Sequence, residues 1–439
     1  MKHVKGRAAV LLASVASVAL IATAASAQTL KIAVPTFLTG GSAPAFGIPA
    51  KNGVELILKG INEGTLPAPY NSVGLAGRKA EPLFYDEMGG GTKQVTELRN
   101  KAQKEKVDMI VGYISSGTCA AVARVAEEVK LLTIMTVCGT PRVFEELVKE
   151  PKYVFRTVAH GTGNNTGAAH YAAKMLKDEL KDGYIGLNQN YAWGQDSWRD
   201  FNLAMGEIAP DVKPAKKQQF PKLFSGQYGS EISALLRAKQ KVVHSSFWGG
   251  DLEAFLAQGT ARGLFKRKTF IFTVGETVAY RLGKKFPSGQ LVGTRGPYGI
   301  YAVGIDTPLN NWFQKNYREI YKEPPSQPSY QYAQGVLAAK YAYDKAMKDN
   351  GGKFPTTDQV IAALRGATFT SIAGTVEMAL SHGHQAITED RWGLTAYDEE
   401  KGELVVKDVL VLGAKCVNPP DGVESVPWLK GGMKGAKCG

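Results

Sequence analysis

Three sets of side chains in this sequence have types and spacing that suit chemistry. The first is a pair of hydroxyls at turns from strand to helix. Ser116 stands in Ser115-Ser116-Gly117-Thr118, between the apolar run Met109–Val111 and a helical stretch, and Thr140 stands just before Pro141, after Leu131–Met135. Free backbone N–H groups and the helix dipole at such turns favour an anion, and a hydroxyl adds a donor. The same residue types also serve as plain N-caps. The second set is two carboxylates, Glu276 in Thr-Val-Gly-Glu-Thr-Val after the strand Phe270–Thr273, and Asp251 in the Gly-Gly-Asp turn after Trp248. A carboxylate buried there needs a cationic partner, and a solute ammonium group is one. Capping of its own helix is the other use of each. The third is Trp248, whose ring ahead of a Gly-Gly turn suits the wall of a cleft.

None of these sets makes a catalytic constellation. His382 and His384 are two apart and would share one face of a strand, but no Cys, Asp or Glu stands at metal-like spacing from them. Gly89-Gly90-Gly91 and Gly161-x-Gly163 complete no phosphate-binding signature, and no Gly-x-Ser-x-Gly elbow stands out. Reversible binding without a cofactor or metal is expected, not an enzyme.

The elements that must position these residues alternate. Leu30–Val34, Met109–Val111, Leu131–Met135, Tyr184–Leu187, Val242–Phe247 and Phe270–Thr273 read as strands. Between them run amphipathic stretches, with Val54, Ile57, Leu58 and Ile61, and then Val122, Val125, Ala126 and Val129, at helical spacing. Tyr330–Met347 reads as a long helix, and β-type patterns return from about Ile372. This alternation predicts α/β architecture with parallel sheets covered on both faces. Arg156-Thr157 and Leu291–Thr294 are candidate crossovers between two series of elements.

The chain has 439 residues, with 53 basic and 40 acidic side chains. Lys2, Lys5 and Arg7, the apolar run Ala8–Ala22 and Ala25-Ser26-Ala27 have the form of a secretory signal peptide, too short in its apolar part to span a membrane. Cleavage after Ala27 would leave 412 residues with an excess of ten basic charges and no cysteine near the new N-terminus for a lipid anchor. A soluble periplasmic protein of two or more domains is expected. Its basic residues are dispersed, and export argues against nucleic acid as a partner. Four cysteines, Cys119, Cys138, Cys416 and Cys438, suit disulfides in an oxidising compartment. Three connectivities are possible, and proximity favours Cys119 with Cys138 and Cys416 with Cys438. The second pair would pin a Pro/Gly-rich C-terminal tail.

Several pieces in order resemble type I periplasmic solute-binding proteins of ABC transporters, the branched-chain amino-acid (Leu/Ile/Val) group. They are KIAVPTFLTGGSAPAFG (31–47), YDEMGGGTKQVTELRNKAQKEKVDMIVG (85–112), GYISSGTCAAVARVAEE (112–128), NYAWGQDSW (190–198), FWGGDLEAFLAQG (247–259) and GHQAITEDRWG (383–393). The resemblance implies two Rossmann-like lobes joined by three crossover segments, with ligand in the interlobe cleft. The first lobe would comprise 28–155 and about 296–372, the second 156–295 and about 373–415, with 416–439 a tail outside the family pattern. It implies that Ser116, the backbone of Cys138, and Thr140 grip a ligand carboxylate. Glu276 would pair with a ligand amine, with Asp251 a second acceptor. Trp193 would cover the ligand from the second lobe, Phe46 would line its side-chain pocket, and Trp248 would add a wall. The implied function is binding of a branched-chain or other apolar amino acid for an inner-membrane ABC permease, by a monomer. An aromatic or aliphatic carboxylic acid, or a role as a ligand sensor of the same fold, is the alternative.

Overall fold

The computed structural model describes residues 28–438 together with Met1, so the expected signal peptide lies outside the described residues. Five strands form the start of the first lobe: β1 (Leu30–Thr36), β2 (Ala80–Asp86), β3 (Met109–Gly112), β4 (Thr133–Met135) and β5 (Val154–Arg156). The second lobe takes β6 (Tyr184–Leu187), β7 (Val242–Ser245), β8 (Thr269–Phe272) and β9 (Leu291–Gly293). The chain then supplies β10 (Thr368–Ser371), β11 (Gly374–Leu380), β12 (Gln385–Ile387), β13 (Asp390–Asp398) and β14 (Glu403–Leu412). The sheets run β10-β11-β12-β5-β4-β3-β1-β2 and β14-β13-β9-β8-β7-β6. Each is parallel except at the β10–β11–β12 and β9–β13–β14 edges. The architecture is thus two α/β lobes with mixed sheets.

Both sheets are covered by helices because both faces of their short strands are apolar. All four residues of β3 and of β7 are buried. The first α-helix runs over Ile48–Glu63, and Val54, Ile57, Leu58 and Ile61 are all buried against the sheet as their spacing predicts. The long helix is Gln327–Asp349, which packs along the first.

The chain crosses between lobes at 157–160, at 294–298 and at 388–389. Leu291–Thr294, read as a crossover, is mostly the strand β9, with the crossing just beyond it. The lobe boundary near 373 also moves. β11 and β12 belong to the first sheet, because Gln385 of β12 pairs in parallel with Arg156 of β5, and the return to the second lobe comes only before Asp390. The strands flanking the crossings are neighbours, β5 beside β12 and β9 beside β13. The crossing segments therefore lie side by side, the arrangement of a hinge.

The tail is packed on the second lobe. A short helix, Ser425–Lys430, lies against the helix Ala192–Ile208 and buries Trp428 and Leu429 in that lobe's core. Disulfides join Cys119 to Cys138 and Cys416 to Cys438, the pairing that proximity favoured. Among the described residues no helix is long and apolar enough to cross a membrane.

Candidate functional site

The carboxyl ends of the strands from both lobes face one another, which is where ligands bind in open α/β sheets. A small cavity of about 20 Å³ sits there. From the first lobe come Phe46, Ile114 and Ser116 beyond β1 and β3, and Val137 and Gly139 beyond β4. From the second come Tyr191 and Trp193 beyond β6, Trp248 beyond β7 and Val274 beyond β8. Arg295, at the start of a crossover just after β9, completes it. Phe46, Ser116, Trp193, Trp248 and Arg295 are each 5% exposed or less, so the lobes shut the space from solvent.

The aromatic wall is held in place by polar handles. Trp248 Nε1 donates to the Tyr191 hydroxyl at 2.8 Å, and Trp193 Nε1 donates to the carbonyl of Ser246 at 3.1 Å. The Phe46 ring meets the Trp248 ring edge-on at 5.2 Å across the cleft. Gly139 lets the Trp193 ring approach the first lobe and Gly161 makes room for it at the start of the next helix: a Cβ on either would fall 2.4 Å or 2.7 Å from its Cζ3.

The polar residues do not all go where their types suggested. Ser116 reaches the cavity, but its Oγ accepts the N–H groups of Gly139 and Thr140 at 3.0 and 3.2 Å. A hydroxyl carries one donor and two acceptor sites, so the Ser116 proton is what remains for a ligand. The helix start beside it is already taken by a carboxyl group, since Glu87 accepts from the N–H groups of Ile114 and Ser115, both at 2.8 Å. Cys138 does not line the cavity. Its sulfur is in the disulfide, its N–H points to the Tyr113 carbonyl, and its carbonyl accepts from Arg156.

Thr140 is also outside the cavity and does different work. Its hydroxyl donates to Asp196 of the second lobe at 2.6 Å, and Arg142 meets the same carboxylate at 2.7 Å. Asp196 is 3% exposed, so this is a desolvated polar latch across the cleft. Asp251 spends its Oδ2 on Gln189 and on the N–H of Phe224, a structural use.

Glu276 does not line the cavity either. Its two oxygens accept from the N–H groups of Ile300 and Gln327, each at 3.0 Å, and tie β8's following helix to the chain beyond the crossover. Burial pushes its carboxyl up to about 8. Among the described residues, the cavity is lined by no acidic side chain.

Arg295 was not singled out by sequence reasoning, and Tyr191 was quoted only as part of a motif. The guanidinium is 2% exposed, lies 5.5 Å from the Trp193 ring and donates to the carbonyls of Val137 and Ala159. Its Nε has no partner, and no carboxylate lies within ion-pair distance among the described residues. Burial holds it down at about 10, still cationic at neutral pH. The one signal in the sequence was an arginine immediately after an apolar strand run, in Gly293-Thr294-Arg295-Gly296.

A family model described as periplasmic binding protein matches residues 29–395. The chain belongs to that family. Membership implies a periplasmic location, and the family is one of solute-binding proteins rather than enzymes. No protein of curated function matches it in sequence. Among solved structures, it is similar to a solute-binding protein of an ABC transporter from Rhodopseudomonas palustris in complex with benzoate. The two share 22% identity over 91% of this chain and 99% of that one, with a TM-score of 0.71. A second from R. palustris BisB5, in complex with 3,4-dihydroxybenzoic acid, gives 19% identity, 88% and 98% coverage and a TM-score of 0.71. A leucine-binding protein from Thermotoga maritima gives 16%, 87%, 99% and 0.71. At these identities the likeness is one of fold.

Proposed function

We propose that this protein binds an aromatic monocarboxylate in the interlobe cavity and delivers it to a membrane-embedded ABC permease. The observation that carries the reading is the pairing of an aromatic wall with one buried, carboxylate-free guanidinium, Arg295, and no acidic side chain in the lining. A buried cation without a counter-ion is costly, and a ligand carboxylate offsets that cost. Ser116 adds a hydroxyl donor, and the rings of Phe46, Tyr191, Trp193 and Trp248 offer faces and edges to a ligand ring. The space as it stands, about 20 Å³, is far smaller than a ring, so a single-ring solute requires the lobes to part or the aromatic wall to shift. The benzoate and dihydroxybenzoate complexes of structural neighbours agree with this choice.

A branched-chain amino acid fits less well. Its ammonium group needs an acceptor carboxylate, and Glu276 and Asp251 are both turned to partners of their own. The leucine-binding neighbour keeps that reading open to test. Calorimetric titration of the mature protein with benzoate, leucine, phenylalanine and their des-amino acids decides it. Benzoate should bind, and each des-amino acid should bind more tightly than its parent. Tighter binding of leucine or phenylalanine than of the matching des-amino acid would overturn the proposal.

A further inference from the structure

A second cavity, of about 290 Å³, lies beside the hinge on the far side of the 137–141 loop from the interlobe cavity. Its floor is Arg156 at the end of β5, with His160 of the first crossover and Gln385 of β12, and its outer wall is the tail loop 419–424.

Arg156 is fully buried and has no ion-pair partner among the described residues. Its Nη1 donates to the carbonyls of Thr140 and Cys138 and its Nε to Gln385, which leaves Nη2 without a partner. His160 adds a second donor. Its Nδ1 accepts the N–H of Thr162, so the neutral ring carries its proton on Nε2. Burial and nearby arginines pull His160 down to about 3, which keeps it neutral.

The acids around this floor are already engaged or sit at the rim. Glu145 Oε1 accepts the N–H and hydroxyl of Ser425, Glu424 pairs with Lys149 at 2.9 Å, and Glu150 lies 3.8 Å from His382. With Asp421 they form a negative rim around a positive floor. A dianion is repelled by that rim, whereas a single carboxylate matches two N–H donors on the floor. Phe144, Leu380 and Val423 give the space apolar walls.

We propose that this groove is a second binding site, distinct from the interlobe cavity, for a small monocarboxylate with an apolar body, seated on Arg156 and His160 under the tail loop. The occupant would touch the same 137–141 loop that lines the interlobe cavity through Val137 and Gly139.

The test is fluorine NMR of 4-fluorobenzoate titrated into the mature, full-length protein. Two bound signals should appear. Val423→Trp, which fills the groove from the exposed tail loop, should weaken one of them at least tenfold and leave the other unchanged. Arg156→Met should remove the same signal. Arg295→Met should weaken only the other. If the cleft does not take aromatic acids, the cleft signal is missing while the groove signal persists and still responds to Val423→Trp, so the two proposals fail separately. A single bound signal insensitive to Val423→Trp would overturn the second site, as would a second signal unchanged in both Val423→Trp and Arg156→Met. Displacement of the groove signal by phosphate at least as readily as by acetate would overturn the choice of a monoanion.

Discussion

Replacing Arg295 by Met keeps the length and apolar body of the side chain and removes only the guanidinium. That group is 2% exposed, and among the described residues no acidic side chain lines the cavity with it. With a ligand carboxylate about 4 Å away, the attraction is about 4 kcal/mol at an effective dielectric of about 20. Part of this is lost to desolvation of the ligand, and a hydrogen bond to a charged group contributes about 1.5–3 kcal/mol net. At 1.4 kcal/mol per decade, benzoate should therefore bind about 10- to 150-fold more weakly. The substitution also strips the Val137 and Ala159 carbonyls of a donor. That penalty falls equally on any ligand, so the measurement is a ratio. Benzoate and the uncharged benzyl alcohol are titrated calorimetrically into wild type and Arg295→Met. The benzoate preference should shrink by the stated factor. Equal losses for both ligands, or none for benzoate, would refute the assignment of Arg295 as the carboxylate anchor.

Asp196→Ala breaks the Thr140–Asp196–Arg142 latch and leaves Arg142 without its buried partner. Truncating one member of such a pair costs about 2–5 kcal/mol, so ligand affinity should fall at least tenfold and small-angle scattering should show a more open molecule. Unchanged scattering and affinity would remove the latch from closure. Stability should also depend on pH. Glu276 and Glu87 are buried with carboxyls raised to about 8 and about 7, so their contribution is complete below about 4.5 and is lost as pH rises through those values. His160 and His244, pulled down to about 3 by burial, act oppositely and only below about 6.5. Between pH 6.5 and 8 these glutamates act in the same direction as Glu145, raised to about 7, and Asp390, also pushed up by burial. Urea unfolding should show a loss there of which Glu276 supplies about 2 kcal/mol at 1.4 kcal/mol per unit, and Glu276→Gln should make the fall shallower by that share. A wild-type curve that rises over this range would contradict the assignment. Finally, the Cys416–Cys438 bond closes a loop of about 22 residues, for which chain entropy gives about 3 kcal/mol. Cys416→Ser with Cys438→Ser should lower the melting temperature and expose the tail to limited proteolysis, and a double variant with wild-type resistance would show the tail held by Trp428 and Leu429 alone.

Local pattern determined much of this protein. The stripe Val54, Ile57, Leu58 and Ile61 could only be satisfied by a helix laid on an apolar surface, and the short β-branched runs around Ile110, Val243 and Ile271 only by buried strands. The alternation of the two therefore carried the α/β architecture, and the order of the quoted motifs carried the family. Trp248 stood out by its place before a Gly-Gly turn, whereas Phe46 and Trp193 entered only through the resemblance; all three line the cavity. The sequence did not carry the pairing of polar groups, which depends on distances between residues far apart in the chain. Ser116 turned its acceptor sites to amides 23 and 24 positions away, Thr140 reached across the cleft to Asp196, and Glu276 was claimed by backbone at Ile300 and Gln327. A hydroxyl or carboxylate at a strand end has the same local signature whether it meets a ligand, a cap or the opposite lobe. Only the tertiary structure chose among these, because a buried polar group must be paired and takes the partner that folding brings within 3 Å. It also left Arg295 buried with no ion-pair partner among the described residues, and it kept β11 and β12 in the first lobe, where the open edge of β5 was there to be paired.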